Sequence, residues 1–139
     1  MAVAFEVAVE QWVERAKARA DKAFQATAQD ALALVKSLTP VKTGYLRANW
    51  TVMRGSDPLP VAGREIDADL IINELRMGDR LVILNPVVYA ARIEYGFVGQ
   101  DSLGRNYNQP GRGMMQQTVA ELPRLAREAT ARVSKSEFA

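Results

Sequence analysis

The chain has neither cysteine nor histidine among its 139 residues. The first absence removes disulfides, thiolate nucleophiles and thiolate metal sites; the second removes the commonest general base and the commonest metal ligand. No apolar run approaches the roughly 20 residues of a membrane span, so no membrane partner is expected. The opening residues lack the basic leader, apolar core and small-residue cleavage site of a signal peptide, and acids enter at Glu6 and Glu10, which reads as a chain made and kept in a cytoplasm. Phosphate-cradling glycine loops are missing as well: "GRG" at residues 111–113 has neither a flanking strand nor a Lys-Ser/Thr ending. The one acidic cluster, Asp67, Asp69, Glu74 and Asp79, would place Asp67 and Asp69 on different faces of a helix, as solvated side chains are placed. Glu94 beside Tyr95 has no nucleophile to serve. These gaps leave no catalytic, metal or cofactor residue to nominate, and no enzyme is expected.

What is present is the composition of a globular chain, 48% apolar and 24% charged. At this length one domain over residues 1–139 buries roughly 68% of its unfolded surface and needs no staples. Apolar residues at three- and four-residue steps from Val9 and Trp12 to Val35 and Leu38 predict one amphipathic helix over about residues 7–38, stopped by Thr39 and Pro40. A rod of that length, about 45 Å, exceeds the roughly 37 Å diameter of a domain this size. Either it overhangs, making residues 1–23 an extension used in oligomerisation with Trp12 in its apolar stripe, or it breaks near Thr27 and folds back.

Beyond the turn at Thr43 and Gly44, "YLRANWTVM" alternates, which predicts a half-buried strand with Leu46, Trp50 and Val52 inward and Arg47 and Asn49 outward. Residues 54–65 read as a loop. "IDADLIINELRMG" reads as a short helix closed by Gly78, with Ile66, Leu70, Ile71 and Leu75 on one face. "DRLVILN" reads as a central strand ended by Pro86, and "VVYAARIEYG" as a short helix that aligns Tyr89 with Ile93 and ends on a left-handed Gly96. Residues 96–113 hold five of the nine glycines and no packed element is expected there. A final helix carries Met115, Val119, Leu122, Ala126, Ala129 and Val133 along one stripe, contains Pro123, and frays over the last six residues. The fold class is α+β: long N- and C-terminal helices on a small, mainly antiparallel sheet, with a short helix and a flexible glycine-rich loop.

One stretch, residues 31–56, carries Lys36, Lys42, Arg47 and Arg54 and no acid after residue 30. It would suit a phosphate backbone, with Trp50 as a stacking platform; the plainer reading is a scatter of solvated bases around a strand with Trp50 in the core.

Three motifs in order, "PVKTGYLRANW", "NPVVYAARIEYG" and "QPGRGMMQQTVAEL", resemble the tail-completion or neck family of long-tailed bacteriophages, the minor tail protein Z type of lambdoid phages and prophages. The resemblance covers roughly residues 24–133 and is strongest at 40–50 and 89–119. It implies a small α+β subunit that assembles into a homo-oligomeric ring, of six or a multiple, at the head-tail joint. It places Pro40, Thr43, Gly44, Arg47, Ala48, Asn49 and Trp50 on the first motif, Tyr89, Arg92, Glu94, Tyr95 and Gly96 on the second, and Gly113, Met114, Thr118 and Val119 on the third. All carry structural or interface roles and none a catalytic one. The partners it implies are further copies, the connector and tail proteins on either side, and DNA in the lumen; the location is the virion, after assembly in the host cytoplasm. Two departures stand out: Lys42 where the family has an acid before Thr-Gly, and a joint at residues 97–113 longer than usual. In the monomer that joint is expected to be mobile and to order when the next ring docks. The alternative function is a small cytoplasmic nucleic-acid-binding module using residues 31–56.

Overall fold

The computed structural model describes residues 2–41 and 44–138, with side chains over 8–41 and 44–136; Lys42 and Thr43, both singled out above, lie outside the described residues. The elements in chain order are α1 (Ala2–Ser37), α2 (Tyr45–Ala48), β1 (Thr51–Arg54), α3 (Ala68–Asn73), β2 (Leu81–Leu84), α4 (Ala90–Tyr95), β3 (Gly96–Gln100), β4 (Asn106–Pro110) and α5 (Met114–Phe138). This is the α+β arrangement expected, with long helices at both ends and only antiparallel pairing between.

No glycine or proline interrupts α1, so the 36-residue helix runs unbroken through Thr27, about 54 Å long. The apolar face of its second half, Ala28, Leu32 and Val35, joins the main core with Leu46, Trp50 and Val52. α5 sends Met114 into the same core, while its last turns line a groove with Arg15 and Lys22 of α1, so α5 runs back along α1 toward the latter's N-terminal end. Arg132 pairs with Asp30 across the two helices at 2.6 Å. The chain around residues 73–77 rides on the middle of α1, where Gln25 donates to the Leu75 carbonyl and Asp21 accepts from the Met77 amide, each at 2.8 Å.

Several expectations need correction. The alternating run from Tyr45 is not one strand: Gly44, at φ +80°, opens the one-turn helix α2, and pairing starts only at Thr51. Leu46, Trp50 and Val52 are nevertheless buried, because one helical turn followed by an extended step also returns them to the core. β2 is not central. It pairs with β1 alone, Thr51 opposite Leu84 through Arg54 opposite Leu81, and all four of its residues are half-buried. α3 stops at Asn73, and its inward residue is Ile72, joined by Leu75 just beyond, while Leu70 is exposed. Asp67 caps α3, accepting from the Leu70 amide, and this sets the helix phase one residue away from the sequence reading. The expected stripe of α5 is met in part: Ala129 is buried and Met115, Ala126 and Val133 are half-buried, but Met114, Thr118 and Leu125 are the other buried positions, whereas Val119 and Leu122 face solvent. The helix also continues to Phe138 instead of fraying.

The largest correction concerns residues 96–113. β3 and β4 form an antiparallel hairpin, Gly96 opposite Pro110 through Gln100 opposite Asn106. Its turn is built on Asp101, whose carboxylate accepts from the Leu103 and Arg105 amides, the Arg105 guanidinium and the Tyr107 hydroxyl.

Candidate functional site

Two junctions collect most of the residues singled out by sequence. The first joins the end of α1 to β1. The Thr39 hydroxyl donates to the Val35 carbonyl and accepts from the Trp50 indole Nε1, both at 2.7 Å, so a buried threonine anchors a buried tryptophan. Arg47 does not face outward: it is half-buried, and its guanidinium donates to the Thr39 carbonyl at 3.0 Å, meeting one of the acceptors a helix end leaves open. Asn49 is half-buried as well, accepting from the Gly63 amide at 2.7 Å and donating to the Tyr45 carbonyl, and so pins the 54–65 loop to α2. The Asn85 amide, which the sequence reading passed over, donates to the Leu46 carbonyl and accepts from the Val87 amide. Only the Asn-Pro step before α4 hinted at it.

The second junction joins α4, the hairpin base and α5. Glu94 turns its carboxylate onto the start of α5, accepting from the Met115 amide at 2.7 Å and the Gln116 amide at 3.1 Å. A carboxylate there satisfies donors a helix start leaves open and meets the positive end of the helix dipole. Gly113, at φ +59°, gives its amide to the Glu94 carbonyl, and the Arg112 amide reaches the Ile93 carbonyl at 2.7 Å. The main chains of Gly96 and Gly111 pass so close that a Cβ on Gly96 would stand 2.6 Å from the Gln109 carbonyl oxygen, and one on Gly111 2.6 Å from that of Glu94. Gly96 sits at φ +85°, ψ 172°, a conformation essentially confined to glycine, and not in the left-handed helical cap expected. The Arg92 guanidinium lies 4.3 Å over the Phe97 ring, which in turn tilts against Tyr107.

Asp101 is held below the usual carboxylate value, first by the Arg105 amide and then by the Arg105 guanidinium, the Leu103 amide and the Tyr107 hydroxyl, partly opposed by desolvation. It serves the turn alone. Of the basic stretch, Arg54 pairs with Glu74 at 2.8 Å and Arg47 is bound to backbone, which leaves no row of bases to track a phosphate chain among its described residues. Trp50 is in the core and offers no stacking face. Among the described residues no group of three or more acids is arranged to hold a metal ion, and no helix is long and apolar enough to cross a membrane.

Several large apolar side chains face solvent. Tyr89 and Tyr95 bracket α4 at 40% and 83% exposure, Val98 and Leu103 stand out from the hairpin, and at the far end Val9 and Trp12 stand out from α1.

No curated protein and no solved structure matches the chain. The family described as "Bacteriophage HK97-gp10, putative tail-component" matches over residues 4–96. That match takes in α1 from Ala4 onward, beyond the stretch where the sequence resemblance is carried by motifs, and stops at the hairpin base, so the motif around Gly113 and Met114 lies outside it. Spanning α1 to α4 and well over half of the sequence, it shows that the chain belongs to the HK97-gp10-like family of bacteriophage tail components.

Proposed function

We propose that this tail component is the tail-completion subunit of the neck, a structural virion protein that forms a ring joining the head connector to the tail. The observation that carries the reading is the end of α1. Of the side chains from Ala8 to Ala18 only Val13 and Ala16 are even half-buried, and Trp12 is 62% exposed, on a helix that continues past its partner α5. An apolar helix end without a partner in its own subunit is what a subunit offers to its neighbour. Tyr89, Tyr95 and the hairpin form the second surface, directed to the proteins above or below the ring. Arg47, Asn49, Trp50, Glu94, Gly96, Gly113 and Met114 act by holding those surfaces in place, Gly44 by turning the chain, and Arg92 by bracing the hairpin. A ring of six subunits or a multiple leaves a lumen for DNA.

The test is mass in solution by light scattering, alone and with tails or heads assembled without the protein. A defined multiple of the subunit mass, or recruitment to tail ends, is expected. A monomer that ignores both would overturn the proposal.

A further inference from the structure

The free end of α1 has two edges. Val9, Trp12, Val13 and Ala16 recur at three- and four-residue steps and form an apolar stripe; Glu10 and Glu14, four residues apart and both exposed, form an acidic edge on another side, with Lys17 3.6 Å from Glu14. Farther along the same helix lies a surface of opposite character. An open groove of about 480 Å³ runs between α1 and α5, its walls formed by Ala23, Phe24, Met77, Ala126 and Val133. It is continuous, through Arg19 and Val133, with a second depression of about 420 Å³ lined by Arg15, Lys22 and Arg132. Among the described residues no acidic side chain lines either one. The groove continues the α1 and α5 packing, so a helix laid in it extends an interface the fold already makes.

We propose that in one copy the free end of α1 lies in this groove of the next copy, with Trp12 against Phe24, Met77 and Val133, and Glu10 and Glu14 toward Arg15 and Lys22. The inference rests on the ring reading and specifies its contact. Donor and acceptor are different surfaces and each copy carries one of each, so the contact is head-to-tail, the kind whose repetition closes a ring. The competing arrangement, two α1 ends pairing antiparallel about a two-fold axis, sets like edge against like edge, Glu10 and Glu14 facing the same residues of the second copy, and is repulsive. The groove is within the size range of pockets that seat large side chains, and a buried tryptophan removes 150–250 Å² from water, about the area one anchor residue contributes to an interface.

A chain with no cysteine of its own makes the test direct. Two full-length variants, Val9→Cys and Ser134→Cys, the latter on the groove wall, are purified separately, mixed at concentrations where the protein self-associates, and treated with a short bismaleimide. A cross-linked dimer in the mixture, absent from either variant alone, is expected. A dimer from Val9→Cys alone would show α1 ends pairing with each other and overturn the proposal. Oligomers by mass with no cross-link in the mixture would overturn the groove contact while leaving the ring intact, and a protein monomeric at every concentration would overturn both. In parallel, Trp12→Ala should weaken self-association about 30-fold, the loss of one anchor residue, with an unchanged melting temperature at dilutions where the protein is monomeric. Unchanged association would remove Trp12 from the contact.

Discussion

Glu94 bears more of the architecture than its place on a one-and-a-half-turn helix suggests, and Glu94→Ala tests this. The substitution takes the acceptor from the Met115 and Gln116 amides at the first turn of α5. Losing a helix cap costs about 1 kcal/mol, with a range of 0.5–2. Losing a negative charge at the positive end of the dipole adds about 0.3–1. Together they give about 2 kcal/mol, the Met115 amide being partly buried and the Gln116 amide able to turn to water. Urea denaturation followed by circular dichroism should show a lower midpoint at unchanged slope, since neither end state changes much in exposed surface. Glu94→Gln keeps an acceptor and loses only the charge, so it should cost about 0.5–1 kcal/mol, and less in high salt. Amide exchange supplies a local readout: in Glu94→Ala the Met115 and Gln116 amides should exchange faster while those in the middle of α1 do not change relative to global stability. An alanine variant with the wild-type midpoint, or a glutamine variant equally destabilised at every salt concentration, would refute the capping role.

Trp50→Phe should cost about 1 kcal/mol by losing the indole bond to Thr39, and Trp50→Ala about 3–5 kcal/mol by opening a cavity, both read from denaturant midpoints. Wild-type stability of Trp50→Ala would contradict its burial. Gly96→Ala should destabilise by about 1–3 kcal/mol from backbone strain, with further loss from the 2.6 Å approach to Gln109, measured by thermal melting; a neutral result would mean the junction is not as tight as described. Because the carboxyl of Asp101 is lowered from its ordinary value of 3.8 in the folded chain, its contribution to the hairpin is present above that value and lost as pH falls through the lower, folded one. Hairpin amide exchange should therefore resist acidification to about that ordinary value and rise below it, whereas in Asp101→Asn it should be raised at neutral pH as well.

The long helix was legible because its period is carried by many residues and nothing in it breaks a helix. The short elements were not, each for a local reason. From Tyr45 to Met53 an alternation of large and small residues fits either a strand or a helical turn followed by a strand, and the choice rests on the left-handed Gly44 and on Arg47 turning back to Thr39, which is a tertiary contact. In α5 the expected stripe and the buried one overlap only in part, and what sets the phase is Glu94 holding the Met115 amide from another element. The hairpin was read as loop because Gly, Asn and Gln are poor strand formers; its order comes from Asp101 and the glycine contacts at its base, and neither shows as a pattern in sequence. The two motifs around Trp50 and Glu94 were found, but the side chains that the outward reading gave to solvent are mostly spent inside the fold.

A hairpin already formed in the lone subunit changes the thermodynamics of joining. An arm that ordered only on contact would lose about 1–2 kcal/mol of backbone entropy per residue at the moment of docking, and affinity would fall accordingly. Here that loss is absorbed during folding, by the Asp101 turn at one end and the glycine pinch at the other. In the docking role proposed above, Val98 and Leu103 would reach a partner on a pre-set arm, so encounters should be productive without a slow rearrangement, and the strength of that contact should vary little with temperature beyond what apolar burial itself imposes.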